Sequence, residues 1–440
     1  MDKFFKLTDH KTTVKIEVIA GITTFLSMAY ILVVNPLTLA DGGMDAGAVF
    51  TATALSAIIA TLIMGLYANF PVALAAGMGT NSFLTYSVVM GMGYTWQEGL
   101  FAIFISGLLF ILLSATGLRA TIINAIPRSI KYATSAGVGL FIAFIGMQNA
   151  GIIVDNPGIL VSLGDLTVPT VMLAIIGTFI TMFLVARDTP AAIFVGMAIT
   201  TVIGILMQLF GLDSGIVMPE AVFAVPPSLE PVFGRLFLDV EIGGLLVDFR
   251  FWAVVISFLF VDFFDTAGTL VAVGSEAGFI GEDGSLDGAE RALMADATAT
   301  TIGAVVGTSS VTAYVESLSG VKAGGRTGLT AVVVAACFAI ALFFSPILAI
   351  VTSSVTAPAL ITVGTLMAVN KGKINYENYA DTAASFLTML MMVVSYSIAT
   401  GLATGIITYT VLKIAQKEHD ELHPILYVLS VFFIFYFAML

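Results

Sequence analysis

The chain has 440 residues, 58% of them hydrophobic and only 10% charged, with a mean hydropathy of +1.04 and a formal net charge of −12. Soluble globular proteins carry about 25% charged residues, so composition alone places this chain in a bilayer as a polytopic protein. The one cysteine, Cys337, lies in an apolar run, and His10, His419 and His423 lie near the termini without ligand spacing. Neither a disulfide framework nor a metal or cofactor motif is expected, and no basic stretch points to nucleic acid. The polar start Met1–Lys11 has no small-residue cleavage site, so no cleaved leader is expected.

In chain order, apolar runs of spanning length fall near 18–37, 47–67, 72–91, 98–117, 132–150, 170–186 and 191–211. After a polar stretch at 212–250 a second set falls near 252–273, 292–307, 309–320, 327–345, 354–369, 381–397 and 399–414. The expected fold is an all-α polytopic membrane protein with about fourteen spans, seven plus seven.

Charge gives the orientation, because cytoplasmic loops are enriched in Lys and Arg. With the N-terminus inside, Lys3, Lys6, Lys11, Lys15, Arg119, Arg128, Lys131, Arg187, Arg291, Lys322, Arg326, Lys371, Lys373, Lys413 and Lys417 all fall on the inner side. Only Arg235 and Arg250 fall outside, with Asp41, Asp45, Asp155, Asp165, Glu220, Glu230 and Asp239. Seven spans in the first half turn the second half over in the membrane, an inverted repeat. The inner loop 276–290 is acidic, with Glu276, Glu282, Asp283, Asp287 and Glu290 against Arg291, which does not overturn the orientation because acids contribute little to it. The apolar tail 424–440 fits an interfacial helix, a further crossing or the end of the last span.

Two spans are poor membrane helices. The third runs from Pro71 through Gly77, Gly79, Thr80, Asn81 and Ser82 to Phe83, and the tenth opens Gly307-Thr-Ser-Ser-Val-Thr-Ala-Tyr314-Val-Glu316. Gly, Thr, Ser and Tyr recur at equal offsets in Gly79–Tyr86 and Gly307–Tyr314. Both read as an extended piece leading into a half-helix, and such backbone survives at this depth only inside protein or beside a cavity. Half-helix N-termini there would aim N–H groups at a polar ligand.

Among the acids that fall in the spans, Asp262, Asp265 and Glu316 stand out, because an acid at membrane depth costs several kcal/mol unless it serves a site. Asp262 and Asp265 in the eighth span are three apart and share a helix face. Two carboxyls that close seldom both lose their protons, which suits a proton-coupled carrier. Asp265 neighbours the small pair Ala267 and Gly268, where a ligand has room, whereas Asp262 divides evenly between coupling and structural hydrogen bonding. Glu316 has no cation in the spans to neutralise it; Lys322 and Arg326 lie a turn or more beyond. The run from Asp296 to Thr301 reads as capping or packing. The turn Gly320–Gly328 lacks the spacing of a phosphate loop and reads as a tight inner turn with Arg326 facing the cytoplasm. Phe25, Tyr30, Phe83 and Tyr314 could stack on a planar ligand, though single aromatics more often face core or lipid.

Over nearly its whole length the sequence resembles the purine-permease branch of the nucleobase:cation symporters, in the xanthine/uracil permease superfamily. The residues that carry this are Glu17-Val-Ile-Ala-Gly21 through Tyr30 to Asn35-Pro36, Ala75-Ala-Gly77-Met-Gly79-Thr-Asn81-Ser-Phe83, and Phe260-Val-Asp262-Phe-Phe-Asp265-Thr-Ala-Gly268-Thr-Leu. Gly307 through Glu316-Ser and Gly324-Gly-Arg326-Thr-Gly328 complete the set. The resemblance implies a core domain (residues 1–117 and 251–345), a gate domain (118–211 and 346–440) and an extracellular linker at 212–250. It implies a nucleobase held between the third and tenth spans by Asp265 and Glu316, with Gly79, Thr80, Asn81, Ser82, Phe83, Tyr314 and Val315 around it and Thr24 and Phe25 from the first span. Asp262, Asp265 and Glu316 would couple the proton. Some uracil and xanthine carriers have a His one turn after the eighth-span acid; Thr269 stands there, so the carboxylates are left as the coupling groups.

The expected activity is plasma-membrane import of a neutral purine, hypoxanthine or guanine first and adenine next, by proton symport, with no enzymatic chemistry. The expected partners are the purine and H⁺, the bilayer, and a second copy in a homodimer. A uracil or xanthine carrier of the same fold is the alternative, with an uncoupled channel behind it. An inorganic anion would want a cation in the site rather than two acids.

Overall fold

The structure is a computed structural model that describes residues 2–116, 126–216, 218, 221–279, 288–350, 352–418, 420 and 422–439. Arg119, Glu220, His419 and the Glu282, Asp283 and Asp287 part of the acidic loop lie outside the described residues. Among those described, ten helices are long and apolar enough to cross a membrane. The chain is therefore a helical membrane protein.

The first span is α1 (Val14–Met28) continued after a break at Ala29–Tyr30 by α2 (Ile31–Asp41). Thr13 starts it by accepting a bond from Ile16 N, and Asp45 does the same for α3 (Ala46–Ile63), which ends in a π-helical turn at Met64–Ala68. The third predicted span is not one helix. It is a three-residue strand β1 (Leu74–Ala76), then α4 (Met78–Ser82), then a π-helical segment Phe83–Gly91. Next come α5 (Trp96–Thr116) and α6 (Arg128–Asn149). A hairpin of β2 (Ile153–Asn156) and β3 (Leu160–Leu163), unforeseen in the sequence, leads to α7 (Pro169–Ala186) and α8 (Ala192–Leu209).

The second half opens with α9 (Phe249–Ala277) and α10 (Ala289–Val306), then strand β4 (Val311–Ala313) and the short α11 (Ser317–Lys322). The tenth span is thus broken like the third. Then follow α12 (Gly328–Ala341), α13 (Ser353–Ala368), α14 (Tyr379–Val394) and α15 (Ile398–Ala415). The apolar tail forms α16 (Pro424–Met439), packed against α15 and α9.

The helices pack as two neighbourhoods. In one, α12 lies on α1 and α3, α10 on α5 and α3, and α9 on α5; in the other, α13 lies on α6 and α7, and α14 on α6 and α15. Meeting points include α4 on α6 and α9 on α6 and α15. The segment before α9 is packed rather than loose: Thr51 donates to Pro227 O and Gly234 N to Val305 O.

The site is positioned by the antiparallel pairing of β1 with β4, in register Leu74↔Ala313, Ala75↔Thr312 and Ala76↔Val311. This register corrects the repeat read from the sequence. Gly79 follows its strand inside α4, whereas Gly307 precedes its strand as the left-handed cap of α10, with φ +102°. The left-handed residue that precedes β1 is Asn69, at φ +53°, after the π turn of α3. Matching letters at equal offsets were misleading because the Gly79 stretch stands after its strand and the Gly307 stretch begins before its own.

Candidate functional site

Each strand is three residues long and wholly buried, so a two-strand ladder alone leaves its outer backbone groups unpaired at membrane depth. Side chains and neighbouring backbone supply the rest. Thr61 of α3 accepts from Leu74 N (3.0 Å) and donates to Leu74 O (2.9 Å), and Ser317 Oγ accepts from Ala73 N (3.1 Å). On β4, Thr300 donates to Val311 O (2.9 Å) and Asp296 Oδ1 accepts from Ala313 N (3.1 Å). Tyr314 closes the strand pair, its N–H on Ala73 O (3.0 Å) and its hydroxyl on Ala76 O (2.5 Å). The Ser and Thr content of the two spans is thus accounted for in part by the backbone they satisfy.

The two eighth-span acids serve opposite ends of this arrangement. Asp262 is buried and accepts from Thr300 of α10 at 2.7 Å, joining α9 to the strand through Ser310 and Val311. Asp296 is also buried; it accepts from Thr266 of α9 (2.8 Å), which in turn pairs with Thr312 of β4 (2.7 Å). Asp265, one turn on, is only half-buried, and Gly268 beside it is exposed with nothing within 4 Å of where a Cβ would stand. Glu316, the residue before α11, is likewise half-buried, and Val315 is 44% exposed. Asp265 lies within electrostatic reach of both Asp262 and Glu316. Arg235–Asp239 and Lys413–Glu418 are ion pairs among the described residues, and neither involves Asp265 or Glu316.

Glu316 takes a hydrogen bond from the hydroxyl of Tyr30, at the break between α1 and α2, at 2.5 Å. The sequence had offered Tyr30 only as a stacking ring. The other expected site residues are placed as follows. Gly79 carries α4 against α6, its missing Cβ 2.6 Å from Val138 Cγ1. Thr80 donates to Gly77 O (2.9 Å), and Asn81 accepts from Ser309 while its N–H serves Gly77 O (2.9 Å). Ser82 is buried within α4, and Phe83 is wholly buried, edge-on to Phe258 at 4.9 Å. Thr24 is buried beneath Gly320, and Phe25 lies edge-on to Phe338 at 5.1 Å. Two N–H groups expected to meet a ligand, those of Asn81 and Tyr314, are therefore already used. The first-turn N–H groups of α4, at Met78–Thr80, have no partner within their own helix.

The Gly320–Gly328 turn is built around a buried carboxylate. Glu17 of α1, buried, accepts from Arg326 N (2.9 Å), Thr327 N (3.3 Å), Thr330 N (3.2 Å) and Thr330 Oγ1 (2.6 Å). An N–H cluster at a helix start is a natural anion site, and here the chain's own carboxylate fills it. Arg326 Nη1 donates to Val321 O (2.5 Å) and Gly325 O (2.8 Å) at the end of α11.

A profile of the xanthine/uracil permeases, described as a permease family, matches residues 15–404. The guanine/hypoxanthine permease PbuG of Bacillus subtilis is 47% identical, with 100% of both chains covered. The adenine permease AdeP of Escherichia coli is 41% identical, covering 99% of this chain and 95% of its own. Among solved structures, the transmembrane domain of the cyanobacterial bicarbonate transporter BicA superposes with a TM-score of 0.62 at 15% identity, over 89% of this chain and 97% of that one. At that identity the likeness speaks for the fold alone. With the broken third and tenth spans in place beside the eighth-span acids and Glu316, the chain belongs to the xanthine/uracil permease family of multi-pass membrane permeases, in the branch of the guanine/hypoxanthine and adenine permeases.

Proposed function

We propose that this protein imports a neutral purine base, hypoxanthine or guanine foremost and adenine next, together with a proton across the plasma membrane by alternating access. The observation that carries this reading is the pair of half-exposed carboxylates, Asp265 and Glu316, on two elements packed against each other beside the β1–β4 strands. Two acids without a cation suit a ligand that presents N–H donors, as purines do, and their protonation supplies a coupling step. The names of the relatives PbuG and AdeP point to the same substrate class.

In this reading the halves are inverted seven-span repeats, supported by the matching order of cap, strand and short helix and by the antiparallel strands. Spans 1–4 and 8–11 form the core and spans 5–7 and 12–14 the gate, with the N-terminus cytoplasmic and a second copy docking on the gate. Asp265 and Glu316 accept from purine N–H or amino groups while the α4 first-turn N–H groups meet ring acceptors. A proton taken up outside by one carboxylate favours loading, the core moves against the gate, and release inside frees the proton.

Uptake of labelled hypoxanthine by cells or proteoliposomes tests this, with unlabelled bases as competitors and with a protonophore. Glu316→Gln should reduce uptake at least 100-fold while the protein still runs as a single species on size exclusion. Normal purine uptake by that variant sinks the assignment. Competition by uracil or xanthine in place of hypoxanthine moves the substrate to the alternative carrier.

A further inference from the structure

We propose that residues 221–247 form an element set into one leaflet of the bilayer, with phospholipid acyl chains as the partner of its outward side chains, rather than a linker in water. The inference stands apart from the Asp265–Glu316 reading and holds whatever base is carried.

Three spans measure how deep this segment runs. α5, with 21 residues, is just long enough to cross a hydrocarbon layer of about 30 Å, so Trp96 marks its edge. Phe101 and Phe104 then lie about 7 and 12 Å along the helix from Trp96. The ring of Phe237 stands edge-on to Phe104 at 5.0 Å and to Phe101 at 6.5 Å. α3 begins at Ala46; Pro227 lies against Gly47 and accepts from Thr51, about 7 Å along that helix. The apolar span Gly328–Pro346 ends on this same side, because its first residue meets Gly65 at the far end of α3. Within its last turns, Phe343 O accepts from Ala224 N (3.0 Å) and the Phe344 ring lies 4.5 Å from that of Phe223. The two tryptophans mark the interface: Trp96 opens α5, and Trp252, near the start of α9, donates to Leu246 O (2.9 Å).

What the segment turns outward is apolar. Residues 221–225 are exposed in an unbroken run, Val225 by 85%, and Phe233, Leu238 and Val247 are exposed too. In water so large an apolar face is a liability. Acyl chains would instead continue over it from Ile340 and Phe343 of the adjoining span, which border the same open groove as Phe223 and Val225. Irregular backbone survives at this depth only when protein satisfies its polar groups. Pro226, Pro227 and Pro231 have no N–H to satisfy, and Gly234 N donates to Val305 O (2.9 Å). Arg235 pairs with Asp239 at 3.6 Å, and its stem can lie along acyl chains while the pair stays at headgroup level.

Single cysteines on the full chain, in a Cys337→Ala background, read the depth. Phe223→Cys, Val225→Cys and Leu238→Cys are each labelled with an NBD fluorophore and reconstituted in phosphatidylcholine vesicles carrying 5-doxyl or headgroup-TEMPO lipid. Phe179→Cys, exposed within α7, and Glu377→Cys, exposed between α13 and α14, serve as the lipid and water references. Emission from the three positions should match the blue-shifted α7 reference, and the 5-doxyl lipid should quench them about twofold more than the label at position 377. Quenching no stronger than at position 377, or stronger by TEMPO than by doxyl, would place the segment outside the acyl layer and overturn the proposal. Blue-shifted emission without doxyl quenching would put a second copy of the chain on this face and overturn it as well.

Discussion

Glu17 and Thr330 are joined by two hydrogen bonds, hydroxyl and backbone N–H to one carboxylate oxygen, across 313 residues of chain. That contact ties the start of the first span to the start of α12, and through Arg326 to the end of the short helix that begins at Glu316. A carboxylate that looks, in sequence, like one more first-turn acid is the keystone of the inner turn. Replacing it by alanine leaves three backbone N–H groups and a hydroxyl without their acceptor in a buried place. Each such loss costs about 1–3 kcal/mol before relaxation, so Glu17→Ala should lower stability by roughly 2–4 kcal/mol. Thermal unfolding of the purified protein followed by size exclusion measures it, and an unchanged midpoint would show that the turn is held by other means.

The eighth-span acids should separate by readout. Asp265→Asn should leave the melting midpoint near wild type and reduce uptake at least 100-fold, because Asp265 is half-buried and no hydrogen bond among the described residues ties it to a neighbouring element. Thr300→Val removes a hydroxyl from both Asp262 and Val311 O, so it should cost about 1–3 kcal/mol of stability. Paired melting and uptake assays on the two variants test this. A destabilised Asp265→Asn with a stable Thr300→Val would reverse the assignment.

Gly79 is a close-approach position between α4 and α6, where a methyl group would stand 2.6 Å from Val138 Cγ1. Gly79→Ala should therefore cut uptake severely by pushing α4 from α6. Val138→Ala removes the obstructing methyls, and the double variant should regain much of the activity. If the double variant is no better than Gly79→Ala alone, α4 needs its glycine for a reason other than this packing.

Tyr86 joins two helix ends, donating to Asp41 at the end of α2 (2.7 Å) and accepting from Asn149 at the end of α6 (2.9 Å). Ser87 adds a bond to Tyr396 O between α14 and α15. In the proposed orientation these contacts lie on the outer side, and Gly268 of α9 is exposed. In a Cys337→Ala background, Gly268→Cys should react with a membrane-permeant maleimide. Adding Tyr86→Phe should slow that reaction several-fold by freeing the outer side. A labelling rate indifferent to Tyr86 would mean that the bridge does not hold the conformation.

What the sequence by itself determined are the properties that reside in single stretches. Hydropathy over about twenty residues marks the spans. The Gly-, Ser- and Thr-rich breaks at 77–82 and 307–316 announce irregular backbone, which the structure resolves as β1–α4 and β4–α11. The desolvation penalty on an unpaired acid singles out Asp265 and Glu316 without knowledge of any neighbour. Only the tertiary structure decided how those acids differ. Asp262 and Asp265 are three residues apart and equivalent by periodicity, yet one is fully buried and bonded to Thr300 and the other is only half-buried. The use of Tyr30 on Glu316, of Tyr314 on Ala76 and of Glu17 on Thr330 spans 286, 238 and 313 residues. A hydrogen bond is a short-range, directional interaction between groups that chain connectivity leaves far apart. Residue identity states what each group can donate or accept, and only the packing of the spans brings the two together.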